Sequence, residues 1–513
     1  MTTLAPGTST LVRDALAVLQ PGFTGTRAPD WVLRRLGEGL AAVGLFGRNI
    51  ASPDQLADLT AQLRAERGDV LVAVDEEGGD VTRLEVRTGS SFPGNLALGA
   101  VDDTALTRSV ARELGRRLAE CGVNLDWAPS ADVNSNPDNP VIGVRSFGAE
   151  PDLVARHTAA YIEGLQSAGV AACAKHFPGH GDTDVDSHHD LPRVAADLPT
   201  LRDRELVPFR AAVRAGAKAV MSAHILLPAL DPDRPATLSP EVLHGLLRAP
   251  AHEGGLGFDG LIVTDGMEMR AVSAAYGLEH GSVLAVAAGA DAICVGGGLA
   301  DEDTVLRLRD ALVKAVREGR LAEERLADAA ARVRALADWT TTAAPARGAG
   351  VAAEPAVGLD AARRALRVTG AGQYDPARGP VFVAAFTPVA NIAVGAETPW
   401  GVGAELERML PGTGTGAYGR PEPGEEEPSA LIARVLAEAA DRRIVAVVRD
   451  VHRHPWMAGA LASLVAARPD TVVVEMGVPQ APPAGALHIA THGAARVCGL
   501  AAAEVVTGKG AGH

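Results

Sequence analysis

The chain has 513 residues, too many for one ordinary hydrophobic core, so two domains are expected. A formal charge of −15 argues against a polyanionic partner such as nucleic acid or an anionic membrane surface, and no stretch is long and apolar enough to span a bilayer. Cys121, Cys173, Cys294 and Cys498 stand far apart with no CxxC pair, so they are expected to be buried thiols, with neither a disulfide framework nor a zinc site.

Residues Met1 to Phe23 include Arg13 and Asp14 and lack the apolar centre of a secretory leader, so a cytoplasmic location is expected. From residue 1 to about residue 340, which reads as one catalytic domain, short apolar runs alternate with longer amphipathic segments. The strand-like runs are Ala42–Phe46, Val70–Val74, Asn124–Ala128, Ala171–Lys175, Ala219–Ala223, Gly260–Thr264 and Ala292–Val295. Helical patterns lie between them, as at Thr104–Cys121, where Leu106, Val110, Ala111, Leu114 and Leu118 keep the 3.6-residue period. Strand–helix alternation of this length predicts parallel strands covered by helices, and a (β/α)8 barrel fits best. Seven strands are clear; Leu19–Thr24 is a poor eighth, and without it the barrel is irregular or incomplete. A doubly wound open sheet is the alternative, but no GxGxxG turn follows the first strand.

Residues 341–360 have the composition of a linker, and residues 361–513 read as a smaller open α/β domain. Its expected strands are Pro380–Phe386, Arg443–Val448 and Thr471–Glu475, with Ala494–Val497 as a fourth. Its helices are expected at Ser429–Ala440 and Met457–Ala467.

Polar residues follow strand after strand in residues 1–340. Asp75 follows the second run, Ser130 to Asn134 the third, Lys175 and His176 the fourth, His224 the fifth and Asp265 the sixth. In a barrel that end of the strands carries the chemistry. The densest stretch is Cys173 to Pro192, where a buried strand runs into a Gly/Pro-broken loop holding Lys175, His176, His180, Asp182, Asp184, Asp186, His188, His189 and Asp190. A metal site is disfavoured there: no helix presents the histidines as an i, i+4 pair, and Lys175 would repel a cation. Glycoside cleavage fits better. It needs a fixed carboxylate beneath the sugar and a proton donor beside the leaving oxygen. Asp265, at the end of an apolar strand, suits the first role. Asp186 and His188, two residues apart, suit the second, because a carboxylate on one imidazole nitrogen fixes the tautomer and raises the basicity of the other.

The segment from Lys175-His176-Phe177-Pro178-Gly179-His180-Gly181 to Asp186-Ser187-His188 closely resembles the signature of glycoside hydrolase family 3 β-N-acetylhexosaminidases. So do Asp75-Glu76-Glu77-Gly78-Gly79, Asn139-Pro140-Val141-Ile142-Gly143-Val144-Arg145-Ser146-Phe147-Gly148 and Ile262-Val263-Thr264-Asp265-Gly266-Met267. The resemblance implies a retaining double displacement, with Asp265 as nucleophile and His188 as acid/base partnered by Asp186. It implies that Asp75, Arg83, Arg145, Lys175 and His176 hold a terminal N-acetylglucosamine, with Met221 and His224 lining the same subsite. It also implies small glycans such as muropeptide or chitin fragments as substrates, no cofactor, and a monomer or weak homo-oligomer. Because glucosidases of the family draw their acid/base from the second domain and this histidine loop makes that unnecessary, that domain is expected to be structural. Two positions depart from the family: Gly266 stands where relatives often carry a side chain, and Asp80 where a basic residue is common. Two alternatives stay open. Phosphate, in place of water, could resolve the glycosyl-enzyme, since a neutral histidine does not repel it. A catalytically silent sugar-binding protein is the other, against which the intact Asp265, Asp186 and His188 argue.

Overall fold

The computed structural model describes residues 9–186, 191–298, 301–343, 353–388, 394, 397–420 and 428–509. It divides into two compact units. The first comprises residues 1–77, 104–142 and 146–354, and the second residues 78–103, 143–145 and 355–513.

The first unit is a TIM-type barrel. Its strands are β1 (Leu19–Pro21), β2 (Ala42–Leu45), β3 (Leu71–Val74), β4 (Leu125–Asp126), β5 (Ala171–Phe177), β6 (Ala219–Ser222), β7 (Leu261–Thr264) and β8 (Ile293–Val295). Strands β2 to β7 form one curled parallel sheet in chain order. A parallel bridge between Val263 and Ala292 carries the sheet on to β8, and β8 pairs in parallel with β1. The eighth strand is therefore the weak candidate at Leu19, short because it ends on Pro21, which has no amide for a ladder, with Gly22 next. It lies beside β2, and no ladder joins the two among the described residues. Every residue of these strands is buried, which explains why they read as unbroken apolar runs. Each large aliphatic side chain so placed contributes roughly 1.5–3 kcal/mol of burial.

The covering helices fall close to where the periodicity puts them, as at Thr104–Glu120 and Pro151–Ser167. The helix at Pro53–Glu66 shows how the sequence starts one: the Ser52 side chain accepts from the Gln55 amide and Pro53 takes the first turn.

The second unit contains a six-stranded sheet of β9 (Arg367–Thr369), β10 (Phe382–Phe386), β11 (Gly414–Tyr418), β12 (Ile444–Val448), β13 (Val472–Glu475) and β14 (Leu487–Ala490). The spatial order is β9-β14-β13-β12-β10-β11, parallel apart from β9, which runs antiparallel to β14. The sequence expectation of a strand at Ala494–Val497 is corrected: that stretch leads into the helix Arg496–Thr507, and the strand lies earlier, at Leu487. Apolar clusters cover both faces of the sheet, one built on Val447 and Ile489, the other on Phe386 and Val473.

All four cysteines are buried and free. Burial pushes the Cys121 thiol up to about 11 and the other three higher still. No helix among the described residues is long and apolar enough to cross a membrane.

Candidate active site

Within the barrel unit the polar groups at the strand ends are held by one another. Lys175, near the end of β5, is almost wholly buried, and its Nζ lies 2.6 Å from Asp75 Oδ1 and 2.8 Å from Glu77 Oε1. Two carboxylates from the loop after β3 thus hold one ammonium. A buried lysine survives as a cation only with such partners. Glu77, which the sequence pattern does not single out, is buried against Lys175 and helps fix it.

The second knot is Asp132, in the loop after β4. It is fully buried and accepts the His180 amide at 2.7 Å, the His176 Nδ1–H at 2.8 Å and the Ser130 hydroxyl at 2.9 Å. The His176 amide adds longer contacts of 3.2 and 3.3 Å. Burial alone would raise its pKa, but His176 and His180 outweigh that and hold the carboxyl below the usual range. An ionised Asp132 can only accept, so Nδ1 of His176 carries a proton and the ring orientation is fixed.

His180 is buried and takes a different part. Burial, with the neighbouring His176, depresses it to about 4, so it is neutral at ordinary pH. Its Nδ1 pairs with the Thr183 hydroxyl at 2.8 Å, and its carbonyl accepts from Asn139 Nδ2 at 2.9 Å. The same Asn139 side chain accepts the amides of Val141 and Ile142, so one residue pins two loops. Gly181 is required by close approach: a Cβ there would stand 1.7 Å from the Val133 carbonyl oxygen.

On the other side of the rim, the Asp265 amide donates to the Ser222 carbonyl at 3.1 Å, and Asp265 Oδ1 accepts the Gly266 amide at 2.8 Å. The carboxylate therefore sits on a backbone tied to β6. His224 is fully buried, with Nε2 3.0 Å from the Gly266 carbonyl and Nδ1 2.9 Å from the Thr237 hydroxyl. A carbonyl only accepts, which places a proton on Nε2. His224 thus buttresses the turn that carries Asp265. Met221 is buried on β6, in register with Val263 of β7.

Asp186 is half-buried in the loop after β5. His188 lies outside the described residues. Arg83 and Arg145 belong to the second unit. There Arg145 is buried, and its carbonyl accepts from Asn95 Nδ2 at 2.7 Å. Arg83 is half-buried beside Thr82.

The two family departures acquire physical reasons. Asp80 is buried in the second unit, where it pairs with Arg449 and accepts the Ala494 amide at 2.7 Å. At Gly266, a Cβ would stand 3.3 Å from Glu268 Oε2, so a side chain there needs Glu268 to shift. Glu268 is held through its other oxygen, Oε1, which accepts the Gly296 amide at 2.9 Å and the Gly298 amide at 3.2 Å.

A barrel whose strand ends gather carboxylates, a buried lysine and fixed imidazoles has groups that sugar cleavage can use, and comparison with known proteins gives the class. The Glycosyl hydrolase family 3 N terminal domain matches residues 32–336. The chain belongs to glycoside hydrolase family 3. It is 38% identical over 274 residues to a beta-hexosaminidase of Stenotrophomonas maltophilia, covering 52% of this chain and 78% of that one. It is 35% identical over 314 residues to beta-hexosaminidase A of Pseudoalteromonas piscicida, and there it spans only 52% of the relative's length. Among solved structures, a family 3 beta-N-acetylglucosaminidase from Paenibacillus sp. superposes with a TM-score of 0.84 at 35% identity, covering 98% of this chain and 97% of that one.

Proposed function

We propose that this chain is a retaining exo-β-N-acetylglucosaminidase that removes terminal β-linked N-acetylglucosamine from small glycans such as muropeptide or chitin fragments. The observation that carries the reading is Asp265: a carboxylate at the end of β7, its backbone tied to Ser222 and its Oδ1 to the Gly266 amide. A nucleophile needs that rigidity, because attack geometry tolerates little error. Likeness along nearly the whole chain to a solved beta-N-acetylglucosaminidase supports the choice of sugar.

In this reading Asp265 attacks the anomeric carbon as the bond to the leaving oxygen breaks. His188, partnered by Asp186, gives that oxygen its proton. The imidazole then takes a proton from water, which displaces Asp265 and restores the free sugar. Asp75, Lys175 and His176 hold sugar hydroxyls. Lys175 is fixed by Asp75 and Glu77, and His176 by Asp132. They therefore meet the sugar pre-ordered, and little freedom is lost on binding.

The test is turnover of an aryl β-N-acetylglucosaminide against an aryl β-glucoside, each with and without phosphate. The proposal expects preference for the N-acetyl substrate and release of free sugar. A sugar 1-phosphate as product would make the chain a phosphorylase, and equal turnover of both aryl glycosides would overturn the assigned sugar.

A further inference from the structure

Gly266, directly after Asp265, is held from several sides. Its amide donates to Asp265 Oδ1 at 2.8 Å. Its carbonyl accepts the Met269 amide at 3.0 Å and lies 3.0 Å from His224 Nε2. Its bare Cα faces Glu268, since a Cβ there would stand 3.3 Å from Oε2. The peptide that supports Asp265 therefore rests against the Glu268 carboxylate.

Glu268 is in turn fixed by the loop after β8. Its Oε1 takes the Gly296 and Gly298 amides, and a Cβ on Gly297 would stand 3.0 Å from that oxygen. The missing side chain lets the loop close on the carboxylate. Oε2 is buried and has no hydrogen-bond partner among the described residues. An orphaned carboxylate oxygen is costly, so stability alone gives no reason to keep one there.

The same loop is held by Arg48, just past β2. Nη1 donates to the Gly297 carbonyl at 2.9 Å, Nη2 donates to the Gly296 carbonyl, and Nε donates to the Phe23 carbonyl, past β1, at 3.1 Å. No ladder joins β1 and β2 among the described residues, and the guanidinium bridges that seam of the barrel. Its planar fork suits carbonyls set at fixed angles. Burial lowers the Arg48 pKa from its ordinary value and the charge of Glu268 works against that, so the two side chains also feel each other's field. Support thus runs from Arg48 through Gly296–Gly298 to Glu268, and from Glu268 to Gly266 and Asp265.

We propose that Glu268 is a positioning residue for covalent attack: fixed by the glycine loop that Arg48 braces, it sets the Gly266 peptide and with it the Asp265 carboxylate. The inference rests on the reading of Asp265 as nucleophile. It also gives the bare Gly266 a purpose, since a side chain there would displace the carboxylate.

The experiment uses the full chain and two readouts that separate when a nucleophile moves while the sugar subsite stays. One is the rate at which an activated 2-fluoro sugar labels Asp265, followed by mass spectrometry. The other is the dissociation constant of free N-acetylglucosamine. Glu268→Ala should slow labelling by about 10²-fold, the loss expected of a displacement of about 1 Å, with less than about a threefold change in the dissociation constant. Glu268→Gln keeps an oxygen for the glycine amides and should recover most of the loss. Arg48→Met should slow labelling by about tenfold, again without weakening the sugar. Gly266→Ala adds a single methyl and should fold whatever becomes of the other variants. It should slow labelling about fivefold in the wild-type background and have no effect beside Glu268→Ala, where the methyl has no carboxylate to press on. Labelling that slows only in step with weakened sugar binding, or does not slow, overturns the proposal. So does a Glu268→Gln variant as slow as Glu268→Ala, or a Gly266→Ala effect that persists without the carboxylate. If the wild-type label maps to a residue other than Asp265, the nucleophile reading itself fails and takes the proposal with it. If it maps to Asp265 and any of those overturning results is found, only the role of Glu268 is wrong.

Discussion

The loop after β5 and the segment after β3 begin alike and end in different cores. Both leave a buried barrel strand with a charged residue in the site, Lys175 in one and Asp75 in the other. The first stays in the barrel unit, because Asp132 gathers the amides of His176 and His180 and Asn139 pins the rest. The second passes at Gly78 into the unit built on the C-terminal sheet. There Asp80 pairs with Arg449 and accepts the Ala494 amide, and Ser90 accepts the Val497 amide. Starting at a strand end therefore does not decide which core holds a loop. Buried charge and its partners decide it. Arg83 and Arg145, expected from the sequence to bind sugar beside Asp75, both sit on segments assigned to the second unit.

The barrel unit's share is tested most severely at Asp265. Asp265→Ala should cut turnover by on the order of 10⁴-fold or more while the far-ultraviolet circular dichroism stays unchanged, as for loss of other covalent nucleophiles. A 2-fluoro sugar should label this residue in wild type, and peptide mapping of the label elsewhere would remove the assignment.

The comparison itself breaks if the chain is cut after Ala343. Residues 78–103 would lose the sheet they pack with inside their own unit, and Arg83 with them. The truncated chain should be inactive or insoluble, read by turnover and by gel filtration. A soluble, fully active product would show that the segment folds without that sheet.

Matched substitutions sharpen it. Arg449→Met leaves Asp80 buried without its cation, which should cost about 3–5 kcal/mol in the second unit. Asp132→Ala orphans several buried N–H donors, which should cost about 3 kcal/mol or more in the barrel unit, at roughly 1–3 kcal/mol per unmet group. Chemical denaturation followed separately through hydrogen exchange of the two units should show each loss confined to its own unit.

The smallest effect is expected at Glu475. Burial, with Asp450 beside it, raises its carboxyl to about 7. The native state therefore holds a proton that the unfolded chain gives up in the ordinary carboxylate range. Stability of the second unit should fall as pH rises from that range to about 7, and the penalty should be complete above it. Glu475→Gln should flatten this slope and stabilise the protein at pH 8. Thermal melts at pH 5 and pH 8 measure both, and an unchanged slope would show that Glu475 is ionised throughout.

Most of the barrel was legible because its strands are buried on both faces and read as continuous apolar runs. Val70–Val74 and Gly260–Thr264 appear within a residue of their expected bounds. At Asn124–Ala128 the strand is cut to Leu125–Asp126, ahead of Pro129, which lacks an amide for the ladder. In the second unit Gly414–Tyr418 escaped notice, since Gly-Thr-Gly carries little strand propensity and its place on the sheet edge is a tertiary matter. Asp75, Lys175, His176, His224 and Asp265 lie at or just past strand ends, as the sequence pattern places them. Asp132 carries no signal of its own in the sequence, because a polar residue in a loop looks the same whether it faces water or a buried partner. Ser130 and Asn134 flank Asp132 with equal polarity, and only the convergence of His176 and His180 singles it out.

The thiols have a practical consequence for watching the loop after β5 at work. All four are enclosed, and burial holds each in its unreactive protonated form. The wild-type chain should be blind to maleimide reagents while folded. A cysteine placed at the exposed Asp184 would then be the one site a fluorophore or spin label finds, with no need to strip the native cysteines first. A label there would report in real time whether the chain between Asp182 and Pro192 holds one position or exchanges between several as sugar binds and leaves.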